Sequence, residues 1–251
     1  MQRYFIDIKD PQIGDMIQLS SEDTHHLVTV MRTRLGQELE IVSSEGRIFV
    51  AQVVSIASKS DPQIELLSEL FLANSELPCS VTIASGLAKN DKFDWLVQKT
   101  TELGMNDFIP LKLQRNVVEW TASKVPQKTE RLQKIAKGAA EQSKRLKIPC
   151  IRPLASLEEV IELSKNYDYK WVAYEEVAKK GQHHALKNEL LNLKPNASIM
   201  VVFGSEGGFD KKEVDQLVAQ EFLPLSLGPR ILRAETAPCY LLSCISYQTE
   251  F

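Results

Sequence analysis

Apolar and polar positions follow two different rhythms along this chain. Up to about residue 72 the apolar runs are short and separated by polar turns. Tyr4-Phe5-Ile6-Asp7-Ile8 alternates weakly. Leu39-Glu40-Ile41-Val42 ends at Ser43-Ser44-Glu45-Gly46, and an apolar run resumes from Arg47 to Ile56. Two such runs around a glycine-containing polar turn predict a hairpin. Glu22–Met31 reads as one helix, with Ser20 or Ser21 as its cap. The segment 1–72 is therefore expected to be a small β-rich module, a barrel. The polar stretch Leu72–Pro78 is the best linker.

From there strands and helices alternate. Ser80–Ala84 is a short apolar run. Phe93, Leu96, Val97, Thr100 and Leu103 recur at helical spacing on one face, and Gly104 is placed to stop that helix. Trp95 is expected to pack in the core with the same helix. Phe108–Leu113 reads as a strand, with Pro110 suggesting an edge or a bulge. Leu132, Ile135, Ala136, Ala139 and Ala140 mark a second helix face. Trp171–Tyr174 and Ile199–Phe203 are continuously apolar, which suits strands buried on both faces of a parallel sheet. Residues 73–251 are thus expected to form an α/β domain.

Composition excludes more than it assigns. The 251 residues are 43% hydrophobic and 25% charged, ordinary for a folded chain able to bury a core. No run nears ~18 apolar residues, so no membrane helix is expected. Met1–Asp7 meets a charge after three apolar residues and lacks the core of a secretory signal, which points to the cytoplasm. Cys79, Cys150, Cys239 and Cys244 form no Cys-x-x-Cys pair, so neither a zinc site nor a disulfide framework is expected, and no metal. Cys239 and Cys244 read as buried free thiols. The net charge of −3 hides a segregation: residues 1–72 carry six Lys/Arg against eleven Asp/Glu, and residues 112–147 carry ten against three. A basic block of that size can attract phosphate, although a solvated helix face would read the same way.

Two late loops carry the candidate chemistry. Val201–Phe203 runs into Gly204-Ser205-Glu206-Gly207-Gly208, and Asp210 is placed to cap a helix at Lys211–Ala219. Glycines after a parallel strand let backbone approach a ligand at the carboxyl edge of a sheet. The loop has neither the Gly-x-Gly-x-x-Gly spacing nor the Lys-Ser/Thr of a phosphate loop. The second loop, Leu227-Gly228-Pro229-Arg230-Ile231-Leu232-Arg233-Ala234-Glu235-Thr236-Ala237, leads from a short strand into a long apolar helix. Placed on adjacent strands, the two would build one pocket, suited to a phosphate-free adenosine ligand. Arg233 with Glu235 also reads as a simple surface ion pair.

The chain resembles the RsmE family of 16S ribosomal RNA uridine N3-methyltransferases, within the SPOUT group of knotted methyltransferases. The blocks that carry the resemblance are Arg3-Tyr4-Phe5, His25–Val28 with Met31-Arg32, Lys92–Gly104, Ile135–Ser143, Gly204–Phe209 and Leu227–Arg233. Three positions depart from the family pattern. Ser205 stands where Pro is usual and should cost the loop rigidity; Ala234 stands for Thr, and Asn116 for Ser.

The resemblance implies a fold: an N-terminal PUA-like β-barrel followed by an α/β trefoil-knot domain. It implies S-adenosylmethionine in the knot, held by Tyr174, Phe203, Gly204, Ser205, Glu206, Gly207, Gly208, Leu227, Gly228, Ile231, Leu232, Thr236 and Ala237. It implies Arg233 and Glu235 as the catalytic pair, a homodimer with the site near the subunit interface, and 16S rRNA of the small ribosomal subunit as partner. RNA contacts would fall on Arg3, His25, Arg32 and Arg34, and on Arg115, Lys137, Lys144, Arg145 and Lys147. Of His25-His26, one is expected to pack and the other to be solvated; His183-His184 are expected to be loop residues without a role. The alternatives are a non-catalytic RNA-binding assembly factor, a knotted methyltransferase for another base or for tRNA, and an α/β nucleotide hydrolase. The intact glycines argue against the first, and the hydrolase lacks its phosphate loop or carboxylate cluster.

Overall fold

A computed structural model describes residues 1–56, 62–176 and 184–251. By their contacts these fall into two units, Met1–Glu76 with Ala140–Lys147, and Leu77–Ala139 with Ile148–Phe251. His183 lies outside the described residues, and His184 is exposed at a helix start.

The first unit is built on a five-stranded sheet of order β1-β3-β4-β5-β2. Its strands are β1 (Arg3–Phe5), β2 (Met16–Ile17), β3 (Glu38–Val42), β4 (Ile48–Ile56) and β5 (Pro62–Leu70). The hairpin read from the sequence is β3 against β4, antiparallel from Glu38↔Gln52 to Val42↔Ile48. Gly46 takes φ +80° in its turn, a value that disfavours any side chain. Leu39, Ile41, Phe49, Ala51, Val53, Ile64 and Leu66 point into one core with Tyr4 and Leu27, all fully buried. The expected helix is shorter: α1 (Ser21–His25) is capped by Ser20, whose side chain accepts from Asp23 N–H, and it widens into a π turn over His26–Val30. His26 packs edge-on against Tyr4 and hydrogen-bonds its hydroxyl at 3.0 Å, while His25 is solvated.

The second unit has six parallel strands in the order β11-β9-β10-β6-β7-β8. They are β6 (Ser80–Gly86), β7 (Asp107–Leu111), β8 (Cys150–Ile151), β9 (Tyr169–Ala173), β10 (Ser198–Phe203) and β11 (Leu223–Leu225). The helices are α2 (Asn90–Glu102), α3 (Val125–Gln142), α4 (Leu157–Ser164), α5 (Ala185–Leu191), α6 (Lys211–Ala219) and α7 (Thr236–Glu250). Alternate residues of β10 serve opposite cores: Ile199, Val201 and Phe203 join one cluster, Met200 and Val202 the other. This two-faced burial is why the strand reads as an unbroken apolar run.

Several expectations are corrected. Pro110 sits in an inner strand, not at an edge. Its carbonyl accepts from Ala155 N–H on the β8 side, so the N–H it lacks faces a neighbour strand that has already ended at Ile151. Trp95 is 42% exposed: it sits two residues from Phe93, off the stripe that Phe93, Leu96, Val97 and Thr100 bury. Finally, β10 and β11 are not adjacent, because β9 lies between them. Cys239 and Cys244 are half-buried rather than buried, and Cys150 is exposed. Among the described residues no helix is long and apolar enough to cross a membrane.

Candidate active site

Parallel strands place all their carboxyl ends at one sheet edge. The segments that follow β9, β10 and β11 line one cavity of about 910 Å³ there, with Lys92 of α2 and Arg115 on its wall. That volume suits a small-molecule ligand, which typically takes ~300–1,000 Å³. The insertion of β9 between the two expected loops adds a third wall, Tyr174-Glu175-Glu176.

The glycine loop is held from outside. Ser205 is buried, and its hydroxyl donates to the Arg115 carbonyl at 2.9 Å while accepting from Gly207 N–H at 3.3 Å. Two hydrogen bonds thus hold the loop at the position where the family's proline would fix its own φ. A Cβ on Gly207 would stand 2.5 Å from the same Arg115 carbonyl, so only glycine allows this approach. Beyond the loop, Asp210 and Glu213 form a capping box on α6. Buried Glu213 also accepts from Gln114 N–H at 2.7 Å, which ties the segment after β7 to the same loop. In the second loop Gly228 takes φ +103°, and the Ser226 hydroxyl bridges its N–H and C=O. Thr236 and Ala237 N–H groups then bond the Arg233 carbonyl and start α7.

Charges converge on this cavity. The Lys92 ammonium lies 3.5 Å from Glu206 Oε1 and 3.8 Å from Glu235 Oε1. Arg233 is 4.0 Å from Glu235 Oε1 with its side chain 79% exposed. The second carboxylate oxygen of both Glu206 and Glu235 is buried with no hydrogen-bond partner. Buried polar atoms are normally paired, so a ligand bringing donors or positive charge belongs beside these two. The residues fit S-adenosylmethionine: glycines that admit close approach, open backbone amides and carbonyls, and carboxylates for its cationic groups.

Of the residues expected at the cofactor, Tyr174, Phe203, Gly204, Ser205, Glu206, Gly207, Gly208, Leu227, Gly228, Ile231, Leu232 and Ala237 line the cavity together with Arg233 and Glu235. Thr236 does not. Lys92 was missed as a site residue because it stands more than a hundred positions before the loops. The available signal was its place at a helix start just beyond a buried strand, at the ligand-binding sheet edge.

The expected RNA contacts divide. His25, Arg32, Arg34, Arg115 and Lys147 are exposed, and Lys137 is half-buried. Arg3 and Arg145 are corrected: each is only 2% exposed. Arg3 donates to Glu40 at 2.9 Å and to the carbonyls of Lys144 and Arg145, and Arg145 pairs with Glu76. The Lys144 ammonium is likewise taken up by Glu40 at 2.8 Å and the Met1 carbonyl at 2.6 Å. Acidic partners in the same unit engage these three cations, and the burial of Arg3 and Arg145 keeps those two from a phosphate, while Lys144 stays partly exposed. Among the described residues no group of three or more His, Cys, Asp or Glu side chains could hold a metal.

Comparison with known proteins agrees with this geometry. A family model described as an RNA methyltransferase domain matches residues 75–246, and one described as an RNA methyltransferase PUA domain matches residues 19–67. The chain is 42% identical over 252 residues to ribosomal RNA small subunit methyltransferase E of Bacillus subtilis, covering 100% of this chain and 98% of that protein. A Legionella pneumophila methyltransferase solved with S-adenosylmethionine bound superposes with TM-score 0.85 at 27% identity, covering 98% and 96% of the two chains. A ribosomal RNA small subunit methyltransferase E from Neisseria gonorrhoeae shares the fold, with TM-score 0.85 at 24% identity over 98% and 97%.

Proposed function

Because the chain belongs to the RsmE family of RNA methyltransferases, built from a PUA domain and an α/β methyltransferase domain, we propose that it methylates N3 of one uridine in the 16S rRNA of the small ribosomal subunit, in the cytoplasm. S-adenosylmethionine supplies the methyl group as a sulfonium. Residues 1–72 serve as the RNA-binding domain and residues 73–251 as the catalytic one, with the glycine loop and the loop before α7 forming the family's knot. The observation that carries the reading is the convergence of three strand-end loops on one cavity that holds two under-partnered carboxylates and a guanidinium.

N3 of uracil lies on the pairing edge and carries a proton, so the base must be unpaired and presented to the cavity. The proton has to leave for N3 to act as nucleophile. A cation beside the uracil carbonyls favours the anion. Arg233, at the cavity mouth with its side chain largely in solvent, is free to approach such a base. Glu235 orients Arg233 or takes the proton. The loops Gly204–Gly208 and Leu227–Leu232, with Tyr174 and Ala237, hold the donor. His25, Arg32, Arg34, Arg115, Lys137 and Lys147 contact the RNA.

The chain acts as a homodimer. Tyr240, Cys244 and Tyr247 of α7 line a second, apolar cavity of about 380 Å³ with Leu186 and Leu190 of α5. Mass mapping of small-subunit RNA from cells with and without this protein tests the reading. One uridine that gains a methyl group only when the protein is present is expected; identical maps would overturn it.

A further inference from the structure

Two carboxylates in the cavity share one ammonium. Lys92 projects from the first turn of α2, and its Nζ stands between Glu206 on the glycine loop, at 3.5 Å, and Glu235 before α7, at 3.8 Å. The ammonium engages the Oε1 atom of each and leaves each Oε2 buried and unpartnered. Arg233 reaches only Glu235, at 4.0 Å, from a side chain twice as exposed as that of Lys92. Lys92 is thus the better-buried cation of the cluster and the one that touches both carboxylates. The other charged groups on the cavity wall are Arg115, Glu175, Glu176, Lys211 and Arg230, with Tyr174 also titratable.

Two carboxylates set around one ammonium repel each other, and removing that cation makes it easier for one of them to take up a proton. A carboxyl that already carries a proton cannot accept another. We propose that Lys92 is a positioning residue that keeps Glu206 and Glu235 both ionised, so that one of them can take the N3 proton of the target uridine. In that step the N3–H bond breaks, an O–H bond forms on the carboxylate, and the electron pair stays on N3. Lys92 itself need not touch the base. The proposal rests on the methyltransferase reading for the identity of the proton, but not for the state of the carboxylates.

The test therefore has two parts. A carboxyl-carbon NMR titration of the full-length protein, labelled in glutamate and free of cofactor and RNA, reads the carboxylates directly. In Lys92→Met one Glu resonance is expected to titrate at higher pH than in the wild type. Lys92→Arg should restore it, and Glu206→Gln and Glu235→Gln assign the signals. In turnover with small-subunit RNA, the acid limb of the Lys92→Met rate profile should move up by the same amount. On that limb the variant's kcat should lie about tenfold below wild type per unit moved and converge with it at higher pH, with KM for S-adenosylmethionine little changed. Unchanged carboxyl titration in Lys92→Met overturns the proposal, as does a loss of activity that no pH restores. Failure of the wild type to methylate the RNA would instead remove the functional reading, while the titration still decides the role of Lys92.

Discussion

Charged side chains with the same sequence character do different work in this molecule. Arg233 stands in solvent at the cavity mouth, and Arg3 is sealed inside its unit. In the proposed mechanism, replacing Arg233 with Ala removes a cation that matters only once charge develops on the base. Turnover should then drop by about 10²–10³ in kcat, while S-adenosylmethionine binding, read by calorimetry, persists. Equal loss of both would assign Arg233 to pocket assembly. Around Arg3 the effect is on stability. Burial pushes the Glu40 carboxyl up, but the hydrogen bonds of Lys144 and Arg3 and their charges outweigh it, and the group sits below its usual range. A carboxyl lowered on folding stabilises above its unfolded value, near 4.3, and ceases to do so as pH falls through the folded one. Glu40→Gln should therefore cost about 3 kcal/mol in denaturant unfolding at pH 7, the low end for a buried pair because the Lys144 arm is partly exposed. The difference from wild type should shrink below about pH 4. None of this was visible in the charge count, which cannot tell an arginine facing solvent from one facing a glutamate 37 positions away.

Elements were legible where a local rule decides them. The β3–β4 hairpin, the Ser20 and Asp210 caps, the α2 stripe and the two-faced β10 all follow from spacing and turn chemistry. Two-residue strands such as β2 and β8 carry too few positions for any period. The nine-residue β5 was overlooked although Ile64 and Leu66 alternate, because its far end, Leu67-Ser68-Glu69-Leu70, breaks the pattern. Strand order was hidden altogether: nothing local says that β9 separates β10 from β11. The same non-local logic makes Glu213 a useful probe. One oxygen caps α6 through Asp210 N–H at 2.7 Å, and the other holds Gln114 N–H at 2.7 Å. Glu213→Ala leaves two part-buried amides without their acceptor, so stability should fall by about 2 kcal/mol. KM for S-adenosylmethionine should rise as well, since the glycine loop loses its anchor to the segment after β7. Glu213→Gln, which keeps one acceptor oxygen, should fall between; an unchanged KM in the alanine variant would show that the loop is held by Ser205 alone.

Across the whole chain, the candidate site is more open than its chemistry prefers. Ile231 on the cavity wall is 75% exposed, beside the exposed Arg233. A methyl transfer that depends on electrostatics gains from excluding water, because each charge interaction strengthens as the surroundings dry. In the proposed homodimer a second copy would supply that covering. Tyr247 on α7 is 75% and Phe251 just past its end 97% exposed, with their rings stacked, and Tyr240 is 37% exposed beside the apolar cavity between α5 and α7. Aromatic side chains of this kind anchor interfaces. If the homodimer forms there, Tyr247→Glu places a charge in its apolar centre. Light scattering should then report twice the chain mass for the wild type and a single chain for the variant, with circular dichroism unchanged. Turnover should fall with the dimer and should also fall when the wild type is diluted through its dissociation constant. A fully active Tyr247→Glu monomer would show that one copy completes the site by itself, and a monomeric wild type would remove the dimer from the mechanism.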